Sequence, residues 1–214
     1  MRKAFDEQMK QLHEKLTEMG AHCEQAIDLA AKALTTGDPA LAEQVLSTDG
    51  EIDQAERDIE ALCLKLLLHQ QPVARDLRQI SAALKMITDM ERIGDQASDI
   101  AQMLPYVRQQ KWQDSERISG MASETIRMVT GSVDAYVRQD LALASAVIEQ
   151  DDVVDDYFNQ VKQSLIRRML EHPEEAELAL DLMMIAKYFE RIGDHATNIA
   201  EWVMFSLTGR HESP

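Results

Sequence analysis

ERIGDQASDIA, residues 91–101, returns as ERIGDHATNIA at residues 190–200, an offset of 99 with eight of eleven positions identical. A match of that quality inside one chain is an internal duplication. The sequence therefore divides into two copies of one unit, expected at 1–109 and 110–214. Both motifs sit in helices. Upstream of the first, Leu77, Ile80, Leu84 and Ile87 recur at steps of three and four, and Leu178, Leu182, Ile185 and Phe189 do so upstream of the second. That spacing is a buried helical stripe. At the next stripe position of the first copy stands Glu91, a carboxylate where an apolar residue is due. Glu91, Asp95 and Asp99 then follow at intervals of four and line one ridge. Three acids on a ridge repel one another, and here no Lys or Arg fills the alternate turns. Gly94 and Gly193 each cost about 1 kcal/mol against Ala in a helix interior, which implies the close approach of a neighbouring backbone or a bound species.

Working outward, the 214 residues hold 45% apolar side chains but only eight Gly and five Pro, so helices are long and breaks are few. Gly37-Asp38-Pro39 combines a stop, a cap and a first-turn proline. Gln70-Gln71-Pro72 and His172-Pro173 mark two more turns, and Asp140-Leu-Ala-Leu-Ala echoes Asp38-Pro-Ala-Leu-Ala. These signals predict helices at about 2–35, 39–69, 73–108, 114–138, 140–171 and 174–207, with Pro105 at the fraying end of the third. Ile52, Ala55, Ile59, Leu62 and Leu66 form the apolar stripe of the second. Short links make neighbouring helices antiparallel. The expected fold is all-α, two tandem antiparallel three-helix bundles joined near residue 110.

The formal charge of −16 excludes a nucleic-acid binder, which needs a basic face, and favours cations or basic partner surfaces. No apolar run approaches the roughly 20 residues of a membrane span, and the first residues, MRKAFDEQ, lack a signal-type segment; a cytoplasmic location is the expectation. Cys23 and Cys63 form no CxxC motif and read as reduced core residues. Matched across the first turn, they stand about 13 Å apart in height, too far for a disulfide. Most of the twelve Met fit helix stripes and read as core, His195 reads as a polar rim residue with a nitrogen ligand at the edge of site two as the alternative, and Trp112 and Trp202 read as packing or exposed contact.

In an antiparallel hairpin, residues whose numbers average to the turn share a height. Asp53 with Glu91, and Asp49 with Asp95, both average 72, at the Pro72 turn. Glu24 with Asp53, and Asp28 with Asp49, average 38.5, at the first turn. Six carboxylates on three helices are thus expected in one patch. In the second copy Asp155 with Glu190 and Asp151 with Asp194 meet at the His172-Pro173 turn, and Glu124 joins Asp155, while Met128 stands where the first copy has Asp28. Clustered carboxylates without bases are costly unless protonated or neutralised by a cation. All-oxygen sites suit magnesium, manganese or calcium, and carboxylates also hold iron. The alternative is that these acids are simply solvated helix faces.

The doubled ERIGD helix, the segment Gln71-Pro-Val-Ala-Arg-Asp-Leu-Arg78 and the acidic pairs spaced by three residues resemble the PhoU family over about residues 5–207. The resemblance implies an all-helical, cytoplasmic, often dimeric negative regulator of phosphate uptake and of the phosphate-starvation response. It implies contact with a phosphate ABC transporter ATPase and a sensor histidine kinase. It also implies metal ions (iron, zinc, magnesium or manganese) on the acidic motifs. By position, site one is Glu24, Asp28, Asp49, Asp53, Glu91 and Asp95, with Asp99 an added acid; site two is Glu124, Asp151, Asp155, Glu190 and Asp194. Asn198 matches the family pattern. No Glu-x-x-His pair, nucleophile triad or thiol–imidazole set is visible, so an enzyme is not expected. A carboxylate-bridged enzyme and a metal-free helical scaffold remain as alternatives.

Overall fold

The computed structural model describes residues 2–70, 72, 74–107 and 115–210. The expected helix limits at residues 73, 108 and 114, the junction near 110, Trp112 and the final four residues lie outside these. The described residues form six α-helices: α1 (Arg2–Thr36), α2 (Pro39–Gln70), α3 (Arg75–Val107), α4 (Ser115–Arg138), α5 (Leu141–Glu171) and α6 (Ala176–Thr208). A 3-10 turn at Pro173–Glu175 precedes α6, which starts two residues later than its pattern suggests. Pro105 is carried inside the last turn of α3.

At Gly37-Asp38-Pro39 and at Asp140 the turn chemistry read from the sequence is the chemistry that forms. Gly37 adopts φ 70°, left-handed backbone that favours glycine, and its N–H closes on the Ala33 carbonyl at 2.8 Å. Asp38 then accepts the Ala40 N–H at 2.9 Å, capping α2 behind Pro39. Asp140 repeats the device, accepting from the amides of Ala142 and Leu143.

Each repeat is a three-helix unit, and the two repeats pack antiparallel. Arg78 of α3 donates to the Ser206 carbonyl near the end of α6, while Asp89, further along α3, meets His195 and Asn198 earlier on α6. Likewise Glu24 of α1 meets Thr130 of α4, and His13 lies edge-on to Tyr136. The buried side chains form one continuous core through both repeats, with Leu12, Leu16, Met19, Ile52, Ile59, Met86, Met90 and Phe189 fully enclosed. The α6 stripe is buried throughout. In α3 the stripe begins later than its spacing suggests: Leu77, in the first turn at the hairpin tip, is exposed and Leu84 is half-buried. Met19, Met86, Met90, Met121 and Met128 are core residues, and both cysteines are free and buried. Trp202 packs edge-to-face on Phe205 with the Lys85 ammonium over its ring.

Candidate functional site

The α2–α3 interface builds the first acidic site. Asp49 and Asp53 project from α2, and Glu91, Asp95 and Asp99 from α3. Loss of solvent raises the Asp49 carboxyl above its ordinary range, and the charges of Asp53, Asp95 and Asp99 add to the rise. Partial burial likewise raises Glu91, with Asp95 the largest neighbouring charge, and raises Asp99 against the counter-pull of Arg191. The paired heights of Asp53 with Glu91 and Asp49 with Asp95 are therefore those the turn predicts. Glu56 joins the same patch, raised by burial and then by Glu60 and Asp53. It lies three residues beyond Asp53 on the same face, so continuing the helical period by one step reaches it.

The second site repeats the arrangement between α5 and α6. Burial first, and then Asp194, Asp155 and Glu190, lift Asp151 to about 6. Asp155 and Asp194 are also raised, each by desolvation and then by Glu190.

Most of these acids have a local base. Arg92 donates to Asp95 at 2.8 Å and lies 3.4 Å from Glu91, Arg57 lies 3.8 Å from Asp53, and Lys187 pairs with Glu190. Arg191 reaches from α6 toward Asp99 of the other repeat. Asp49 and Asp151 are the exceptions: no base stands among the groups that set their charge. Both lie against the motif glycines. A Cβ on Gly94 would sit 2.7 Å from Asp49 Oδ1, and one on Gly193 would sit 3.1 Å from Asp151 Oδ1. The close approach expected at these glycines is that of a carboxylate. Asp49 Oδ1 is sealed from solvent and has no hydrogen-bond partner.

The first-helix acids are placed differently. Height is set by the turn, but the side a residue faces is set by its own apolar stripe. Glu24 points toward α4 and accepts the Thr130 hydroxyl at 2.8 Å, and Asp28 holds Lys32 at 2.6 Å. Glu124 is nearly buried, paired with Arg127 and accepting from Gln150 at 2.5 Å. Met128 is enclosed in the core. His195 is a rim residue: its Nδ1 bonds Asp89 at 2.9 Å, and Asn198 donates to the same oxygen at 3.1 Å, so the pair clamps α6 to α3.

Among the described residues, no three His, Cys, Asp or Glu side chains stand close enough to ligate one ion directly. The sites are open ridges of paired carboxylates, and the first also holds an orphaned buried oxygen, Asp49 Oδ1. That donor set fits a hard cation held by one or two carboxylates and its own waters, and fits a thiolate- or imidazole-rich zinc cage poorly.

Comparison with known proteins agrees with this duplicated geometry. The PhoU domain matches residues 16–104 and again residues 118–203. The chain belongs to the PhoU family. It is 35% identical to the phosphate-specific transport system accessory protein PhoU homolog of Clostridium acetobutylicum, over 98% of this chain and 96% of that one. It is 34% identical to the Pseudomonas aeruginosa homolog of the same description, covering 96% and 86% of the two. The crystal structure of PhoU from Pseudomonas aeruginosa superposes with a TM-score of 0.90 at 33% identity, over 96% of this chain and all of that one. The Streptococcus pneumoniae phosphate transport system regulatory protein PhoU shares the fold, at a TM-score of 0.90 and 24% identity. No helix among the described residues is long and apolar enough to cross a membrane.

Proposed function

We propose that this chain is a cytoplasmic, homodimeric accessory regulator of a phosphate-specific transport system, acting by binding and not by turnover. Its partners in this reading are the transporter's ATPase and a sensor histidine kinase. The near-full-length match to PhoU accessory proteins carries the proposal. The two carboxylate ridges supply its chemistry. Asp49, Asp53, Glu91 and Asp95 hold a hydrated hard cation in the first repeat, as Asp151, Asp155, Glu190 and Asp194 do in the second, and magnesium or manganese is preferred over iron or zinc. The ion cancels the mutual repulsion of the ridge and presents waters and bare carboxylates to a basic partner surface.

The test pairs elemental analysis of protein purified without chelator with pull-downs against the ATPase and the kinase. The Glu91→Gln/Asp95→Asn variant should stay folded, lose metal and weaken capture. A metal-free wild type that still captures a partner would reduce the ridges to a docking surface. Retained metal in the variant would move the site elsewhere.

A further inference from the structure

In a doubled chain each repeat serves as a control for the other. Asp49 and Asp53 of α2 stand 102 residues before Asp151 and Asp155 of α5, and α3 and α6 are offset by 99. On those offsets Leu64 and Leu68 of α2 match Ile166 and Leu170 of α5. All four are exposed, Leu68 at 76% and Leu170 at 79%. A single exposed apolar residue is ordinary; a pair one turn apart, apolar and exposed in both repeats, is not. The pairs lie about three and four turns beyond Asp53 and Asp155, on the ridge those acids open. Leu77 of α3, and Leu180 and Met184 of α6, are exposed too. Leu68 with Leu77 averages 72.5, and Ile166 with Leu180 averages 173, so each pair shares a height beside its turn. Each hairpin tip therefore carries an apolar patch on both of its helices.

The charges around the two patches are opposite. Residues 64–85 carry Lys65, Arg75, Arg78 and Lys85 against one acid, Asp76. The matching residues 166–184 carry Glu171, Glu174, Glu175, Glu177 and Asp181 against Arg167 and Arg168, and Arg168 pairs with Glu175 within the tip. The repeats pack antiparallel, so the α2–α3 tip lies beside the end of α6 and the α5–α6 tip lies at the other end of the molecule. A chain of charge −16 repels its own copies. Self-association therefore needs places where opposite charges meet around apolar surface, and a copy turned end over end meets that condition at both ends at once. Resting on the homodimer reading above, we infer that the tips are the dimer interface: the basic α2–α3 tip of each copy seats on the acidic α5–α6 tip of the other. The contact is isologous, so the pair closes with no tip left over.

The experiment follows the full-length chain by sedimentation and light scattering, with thermal unfolding as the fold control. Leu68→Glu sets an acid against the acidic tip, and Leu170→Lys sets a base against the basic one. Each should weaken the dimer by about tenfold or more. Their combination should recover it, because the two new charges then meet across the contact. Added salt should weaken the wild-type dimer. Mixed Leu68→Cys and Leu170→Cys chains should cross-link through a short bismaleimide, and neither should do so alone; Cys23 and Cys63 are buried and do not compete. Leu68→Cys chains cross-linking with one another would place like tips together and overturn the inference. Weakening in both single charge variants without recovery in the double would overturn it too. A dimer that both single variants leave intact would overturn it and leave the homodimer reading standing. Lost capture of the ATPase or kinase by Leu68→Glu, at unchanged dimer, would give that tip to the partner instead. A wild type that stays a single chain at every concentration would overturn both readings.

Discussion

Replacing Asp151 by Asn should stabilise the protein at neutral pH, and only there. The folded carboxyl takes up its proton near 6, against an ordinary 3.8, because burial and the charges of Asp194, Asp155 and Glu190 oppose ionisation. Between those two values the folded chain binds more protons than the unfolded one. The ionised group therefore weakens the fold as pH rises through that window, and its full cost is present above about 6. A difference of about two pH units corresponds to roughly 3 kcal/mol before screening. Asp151 is partly open to solvent, so about 1–2 kcal/mol is the expected effect. For a chain of this length that is a rise of roughly 3–6 °C in Tm. Asn keeps the shape needed beside Gly193. The assay is thermal and urea unfolding of both proteins in chelator at pH 7.5 and pH 4. The variant should gain at the higher pH and match the wild type at the lower. No gain at pH 7.5, or an equal gain at both, would refute the claim that uncompensated charge at Asp151 strains the site.

Three further outcomes follow from the geometry. Gly94→Ala should destabilise by about 1–2 kcal/mol, because its Cβ meets Asp49 Oδ1 at 2.7 Å and Ile52 Cδ1 at 3.0 Å. Gly193→Ala should cost less, and Gly50→Ala, where nothing lies within 4 Å, should gain about 1 kcal/mol; urea titration ranks the three, and a gain at Gly94 would sink the close-approach account. Cys63, pushed up to about 12 by burial, and Cys23, pushed up by burial and by Glu24 and Asp49, should resist a thiol reagent in the native state and react together on unfolding. Asp140→Ala should cost about 1 kcal/mol through loss of the α5 cap, measured by denaturant midpoint at unchanged slope.

The helices were legible because breakers are scarce and each break carries its own chemistry, as at Gly37-Asp38-Pro39. The heights of Asp49, Asp53, Glu91 and Asp95 were legible for the same reason: once a turn is placed, antiparallel register follows by counting. Facing was not. Lys15 with Asp58 and His22 with Glu51 average 36.5 and not 38.5, and the α1 stripe of Leu12, Leu16, Met19 and Cys23 turns Glu24 toward α4 and leaves Asp28 to Lys32. Contacts between repeats were invisible to local periodicity. Asp89 with His195 and Asn198 joins positions more than a hundred residues apart, and no turn fixes that register.

The antiparallel packing of the two repeats also sets an order of events at the ribosome. The first repeat is complete in sequence before α4 and α6 have been made, yet α4 and α6 are what cover the inner faces of its α1 and α3. While synthesis continues, that half must wait with apolar surface uncovered. The clamp from Arg78 to Ser206 spans 128 residues, so it closes only after α6 has been made. A chain released at midpoint would expose the apolar faces of α1 and α3 that α4 and α6 otherwise cover, and such surface is prone to aggregate.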